Sequence, residues 1–167
     1  AGSTLNGTPI VVDDNSSDET AAVARTAGAT GVRHTETRGY DGALGSGFKC
    51  ASDLGCEYVV TIDADGQLDP SLIGAFIAAL DRGADIVVGI RDRRQRFGEH
   101  LFSVIGRARW GITDPLCGMK GYRVALYKDL GHFDSYRSIG TELAAYAAHR
   151  GKRVAQLPVA TRPRADG

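Results

Sequence analysis

Residues 57–70 read EYVVTIDADGQLDP, and the fold is decided there. Positions 57–62 form a short run of β-branched and aromatic residues, the composition of a strand. The run stops at Asp63-Ala64-Asp65-Gly66. Pro70 then suits the first turn of a helix, whose apolar face is marked at helical spacing by Leu72, Ile73, Phe76, Ile77 and Leu80. Another strand follows over 84–89. Upstream, Pro9-Ile10-Val11-Val12 is a short β-type run ending in Asp13-Asp14. Ser17 caps a helix with Glu19 in its first turn, closed by Gly28 and Gly31. Residues 31–34 read as a second short strand. Residues 38–47, RGYDGALGSG, read as a glycine-rich loop leading into a helix that ends near Gly55. Downstream, six arginines over 91–109 surround Phe97, Leu101, Phe102, Val104 and Ile105, the pattern of a basic amphipathic helix. A strand over 118–123, a helix over 137–150 and a last strand over 152–159 complete the chain. Strands alternating with helices predict an α/β domain with a mainly parallel, Rossmann-like sheet flanked by helices.

The 167 residues fit a single domain spanning 1–167. With 43% hydrophobic and 24% charged residues, the chain has a folded protein's composition rather than a disordered one's. No apolar run approaches the roughly 20 residues of a membrane span, and the start shows no secretory signal pattern. Cys50, Cys56 and Cys117 form no CxxC pair, which argues against a zinc site or disulfide framework. A cytoplasmic location is therefore expected. Net charge is zero, but residues 1–90 hold 5 Lys+Arg against 13 Asp+Glu, and residues 91–167 hold 15 against 7. The acidic and basic halves have different electrostatic work, or simply attract one another. Several classes drop out. Gly42–Lys49 is no phosphate loop, because Lys49 does not follow Gly47 directly and Cys50 is not Ser or Thr. Cys50 also stands where a dinucleotide fingerprint needs its third glycine. Trp110 and the tyrosines lack the interleaving with basic residues that nucleic-acid binding requires. His34, His100, His132 and His149 have no ligand spacing and read as surface or packing residues.

The chemistry lies at the strand ends. Open α/β sheets bind ligands outside the carboxyl ends of their strands. Asp63 and Asp65 at such an end repel each other unless a cation neutralises them. A hard divalent ion, Mg²⁺ or Mn²⁺, takes oxygen ligands and bridges to substrate phosphates; a polar turn is the plainer alternative. A second acidic end, Asp13-Asp14-Asn15-Ser16-Ser17-Asp18-Glu19, places more carboxylates on the same rim.

Taken together, VVDDNSSDET (11–20), RGYDGALGSGF (38–48) and TIDADGQLDP (61–70) resemble the family 2 glycosyltransferases of GT-A fold, in order and spacing. TDPLCGMKGYR (113–123) is similar to the Asp-x-x-Cys-Gly-x-Lys stretch of the polyprenyl-phosphate glycosyltransferases, which include the dolichyl-phosphate enzymes. LPVATRPRADG is similar to their ending. The resemblance implies a metal-dependent, inverting transfer of a hexose from a UDP- or GDP-linked nucleotide sugar to a polyprenyl phosphate. Transfer to a saccharide hydroxyl, or a degenerate domain that binds nucleotide sugar without turnover, stay open beside it.

The resemblance also implies roles. Asp13, Asp14 and Ser16 would contact the nucleotide; Asp63 would hold ribose or the metal shell; Asp65 would ligate the metal. Asp114 and Glu142 would be the catalytic carboxylates near sugar and acceptor. Arg107, Lys120 and Arg164 would hold the acceptor phosphate. An acceptor of that kind resides at a membrane, so the basic 91–109 helix either lies peripherally on the cytoplasmic face or packs on the sheet. The family also opens with a strand ending in a Pro-x-x-Asn-Glu turn, then a helix. Here only AGSTLNGT precedes Pro9. Ser3-Thr4-Leu5-Asn6 is similar to one form of that turn, but eight residues cannot supply both a strand and a crossover of about a dozen. Either the chain is shortened, or further residues precede these, or the sheet is completed differently, and the nucleotide pocket depends on which.

Overall fold

The computed structural model describes residues 7–92, 97–136 and 138–162, with backbone alone at 97–102 and 105. Arg164 and the Ser3–Asn6 turn lie outside the described residues, as does the apolar face expected from Phe97, Leu101, Phe102 and Ile105. In chain order the elements are β1 (Ile10–Asp13), α1 (Thr20–Thr26), β2 (Thr30–Arg33), α2 (Gly39–Asp53), β3 (Tyr58–Thr61), a 3-10 turn (Pro70–Leu72) and α3 (Ile73–Asp81). There follow β4 (Ile86–Arg91), α4 (Phe97–Trp110), β5 (Lys120–Arg123), α5 (Val124–Leu130), α6 (Glu142–His149) and β6 (Val154–Val159).

The strands form two sheets. β1 and β2 pair in parallel. The other sheet has the order β3-β5-β4-β6, with β4 and β6 parallel and β5 antiparallel to both neighbours. β5 is thus the strand that runs against the α/β pattern. The alternation of a buried strand sorts the core. Ile86 and Val88 face a cluster with Phe48 of α2, Tyr122, Leu126, Phe133 and Leu143. Val87 faces the opposite cluster, with Phe76 and Leu80 of α3, Met119 and Val159.

Three local expectations need correction. The helix after β1 begins at Thr20 rather than Ser17. Asp18 supplies the carboxylate that accepts from the Thr20 amide at 3.0 Å, a stronger acceptor than a hydroxyl. The glycine-rich stretch is not a loop but the first part of α2. Each glycine costs a helix up to about 1 kcal/mol, yet this helix buries Phe48 and Ala51. Burial outweighs propensity here. The short α5 has no counterpart in the sequence reading; Gly131, at φ 84°, ends it in the left-handed conformation that suits glycine.

Candidate active site

The first turn of α2 bridges the ends of β1 and β3. Asp14, just beyond β1, accepts from the amides of Arg38 (2.8 Å) and Gly39 (2.7 Å). Tyr40 donates its hydroxyl to Asp63, just beyond β3, at 3.2 Å. Asp41 accepts from the amides of Ile139 (3.2 Å) and Gly140 (2.6 Å) in the loop before α6. Four consecutive residues of one helix turn therefore tie together both acidic strand ends and a third loop.

At β1, Asp13 is buried. Its Oδ1 accepts from the Ser16 amide at 2.8 Å, while its Oδ2 is buried without a hydrogen-bond partner; the Arg33 guanidinium is 3.4 Å away. Hydrogen bonds from Ser16 hold Asp13 below the ordinary carboxylate range. Asp14 is likewise held low, first by its bond to His34 and then by the Arg38 amide. Both are anions at neutral pH, and an unsatisfied buried oxygen is an acceptor in search of a donor.

At β3, desolvation first and the like charge of Asp65 next raise the Asp63 carboxyl. The Asp65 carboxylate accepts from the Gln67 amide at 3.1 Å. Asp63 rests against the backbone of Gly118, where a Cβ would fall 1.9 Å from Asp63 Oδ2. This contact explains why glycine follows Cys117. Among the described residues no group of three or more His, Cys, Asp or Glu could hold a metal ion. Two carboxylates with a desolvated, mutually repelling pair of charges nonetheless suit a hard cation that draws its remaining ligands from phosphate oxygens and water.

Beneath this rim lies the lysine of the Asp-x-x-Cys-Gly-x-Lys stretch. Lys120 is buried, donates to the Gly140 carbonyl at 3.1 Å, and is lowered by burial to about 8 against the favourable fields of Cys117, Asp63 and Asp114. Asp114, also buried, is gripped by Arg91: Nε to Oδ2 at 2.8 Å, Nη2 to Oδ1 at 2.9 Å, and the backbone amide at 3.2 Å. Burial pushes the Cys117 thiol up, leaving it an apolar packing residue. Glu142 points elsewhere. Its carboxylate accepts from His132 (2.9 Å) and from the Ser135 amide and hydroxyl, and these bonds hold it low against desolvation. Arg107 is exposed in the last turn of α4.

The structure thus brings Asp13, Asp14, Ser16, Asp63, Asp65, Lys120 and Asp114 around one end of the sheets. Glu142 stands beside that group with its carboxylate occupied. Tyr40, Asp41 and Arg91 are not site residues in the sequence reading, and His34 is read there as surface or packing. His34 and His132 are not idle, since each holds a carboxylate. The chain past β6 closes over the same end: Thr161 pairs with Leu68 and bonds Asp92, and Arg162 bonds Asp69 at 2.8 Å. Two clefts flank α2, sharing Arg38, Ser46 and Lys49; neither is lined by Asp63 or Asp65, and the convergence of carboxylates marks the site better than those hollows do.

This architecture is that of a GT-A glycosyltransferase. The chain superimposes on glucosyl-3-phosphoglycerate synthase of Mycobacterium tuberculosis, crystallised with Mn²⁺ and UDP-glucose, with a TM-score of 0.70 at 21% identity, over 95% of this chain and 60% of that one. It therefore spans about three fifths of that structure's length. Residues 8–131 match the model of glycosyl transferase family 2, and the chain belongs to that family. An uncharacterized glycosyltransferase of Mycobacterium tuberculosis is 35% identical over 95% of this chain and 75% of its own length. The undecaprenyl-phosphate mannosyltransferase of Micrococcus luteus is 28% identical over 90% and 70%.

Proposed function

We propose that this chain transfers a hexose from a UDP- or GDP-linked sugar to a polyprenyl phosphate, with inversion. The observation that carries the acceptor is the state of the two candidate bases. Both oxygens of Asp114 are taken by Arg91, and both of Glu142 by His132 and Ser135. A neutral hydroxyl acceptor needs a general base; a phosphate is already anionic and needs cations to position it. Lys120, buried and charged at neutral pH, is the cation at hand. The name of the Micrococcus luteus relative supports the same acceptor.

In this reading Asp13 receives a donor N–H or O–H of the nucleoside on Oδ2, which otherwise faces only the Arg33 guanidinium. Asp63 and Asp65 would hold Mg²⁺ or Mn²⁺, which would supply Lewis-acid stabilisation of the diphosphate leaving group. The acceptor phosphate oxygen forms the new bond to the anomeric carbon as the bond to the diphosphate breaks, and the nucleoside diphosphate leaves with the electron pair. Asp114, oriented by Arg91, faces the positive charge that develops on the sugar. Lys120 and Arg107 attract the acceptor, with Arg164 proposed as a third cation. No helix among the described residues is long and apolar enough to cross a membrane.

Calorimetry with UDP- and GDP-sugars, with and without Mn²⁺, tests the donor. Binding that needs the metal and disappears in Asp65→Ala is the expected result; no binding of either donor leaves a degenerate domain. Nucleotide release on adding polyprenyl phosphate, weakened by Lys120→Ala, tests the acceptor. Turnover with soluble saccharides alone overturns it.

A further inference from the structure

We infer that His34 is a positioning residue for the acidic rim, acting through Asp14 and the first turn of α2. The inference rests on reading that rim as the nucleotide-sugar site. His34 follows β2 and its side chain is 4% exposed. Nδ1 lies 2.6 Å from Asp14 Oδ1, and Nε2 lies 2.8 Å from Ser46 Oγ, on α2. Asp14 is held ionised and accepts only, so Nδ1 carries the proton in the neutral ring. Nε2 is then a bare acceptor, and the Ser46 hydroxyl donates to it. In that neutral tautomer the bonds run from Ser46 to His34 and from His34 to Asp14.

The ends of this chain are informative. With Arg38, Gly39 and His34 all donating to it, Asp14 has three donors on two oxygens, whereas its neighbour Asp13 keeps a buried oxygen without one. Asp14 is thus the clasp that fixes where α2 begins, while Asp13 is tied to its own loop by Ser16 and faces the Arg33 guanidinium. The turn it fixes carries Tyr40, on Asp63, and Asp41, on the loop whose Gly140 carbonyl receives Lys120. Rotating Asp14 would move all three contacts together.

Two substitutions separate this role from simple packing. In His34→Asn the amide sits where Nδ1 was and still donates to Asp14, losing Ser46. In His34→Gln the amide reaches toward Ser46 and leaves Asp14. We expect His34→Gln to weaken binding of a Mn²⁺–UDP-sugar by about tenfold, the loss of one hydrogen bond to a charged acceptor, and to speed amide exchange at residues 38, 39, 139 and 140. His34→Asn should stay within about twofold on both. Adding Tyr40→Phe to His34→Gln should cost less than the two losses combined. Equal losses in the two variants, or unchanged exchange in His34→Gln, overturn the inference, and full additivity overturns the route through Tyr40. The wild-type imidazole ¹⁵N spectrum gives a test independent of any variant: a ring protonated at Nδ1 is expected, and a ring protonated at Nε2 alone overturns the inference. If wild type binds no nucleotide sugar, the functional reading fails, and the positioning role is decided by exchange and tautomer alone.

Discussion

Single residues at the rim are fixed by contacts too close to leave room. A methyl group at Gly118 would enter the Asp63 carboxylate, and both sides are held: Thr61 donates to the Gly118 carbonyl at 2.9 Å and Tyr40 donates to Asp63. Gly118→Ala should cost about 1–3 kcal/mol by overpacking. It should also weaken metal-dependent nucleotide binding by more than tenfold, about 1.4 kcal/mol. Denaturant melts and calorimetry check the two effects separately. Lys120 poses the reverse case, since its buried ammonium is a liability to folding. Its folded value near 8 lies below the 10.5 of the free side chain, so between those values the unfolded chain binds more protons and stability rises with pH. Lys120→Met should therefore be more stable than wild type by about 3 kcal/mol at pH 7. That gap should narrow as pH climbs from 8 to 10.5, while transfer to polyprenyl phosphate is lost. A gap that stays constant with pH would place the cost outside the amine.

At the level of elements, α2 is the piece whose sequence misleads and whose structure matters most. Gly39, Gly42, Gly45 and Gly47 argue locally for a loop, and the burial that overrides them comes from residues far along the chain. The glycines are not equivalent. A Cβ at Gly45 meets only Phe133 Cβ at 3.8 Å, ordinary contact, whereas one at Gly42 falls 2.5 Å from Arg38 Cβ. Gly45→Ala should raise stability by about 0.5–1 kcal/mol through helix propensity. Gly42→Ala should instead push Arg38 off Asp14, lower stability and weaken nucleotide binding. Thermal melts and titrations of the two single variants are the comparison. The strands, by contrast, were legible, because β-branched runs such as Val59-Val60 and Ile86-Val87-Val88 carry their own signal. So were the acidic residues that end β1 and β3, because a carboxylate directly after an apolar run has few other purposes. What stayed hidden were pairings without a period: Tyr40 with Asp63 and Arg91 with Asp114, both 23 residues apart, and Lys120 with Gly140 across 20. No local pattern encodes which loops meet at a rim.

Across the whole molecule, the acidic first half and basic second half meet at this end. The first half supplies Asp13, Asp14, Asp63 and Asp65, the second Arg91 and Lys120. Among the described residues the two sheets are not hydrogen-bonded to one another, and α2 packs against β1 above all and also against β2 and β3. Distances within a sheet are set by backbone ladders, which tolerate almost no slippage. The separation between Asp14 and Asp63 is set instead by side-chain volume beneath one helix, at Phe48, Ala51 and the small residues facing β1. That spacing is thus an adjustable dimension of this molecule: a methylene added or removed under α2 alters the gauge between the two acidic ends without touching either.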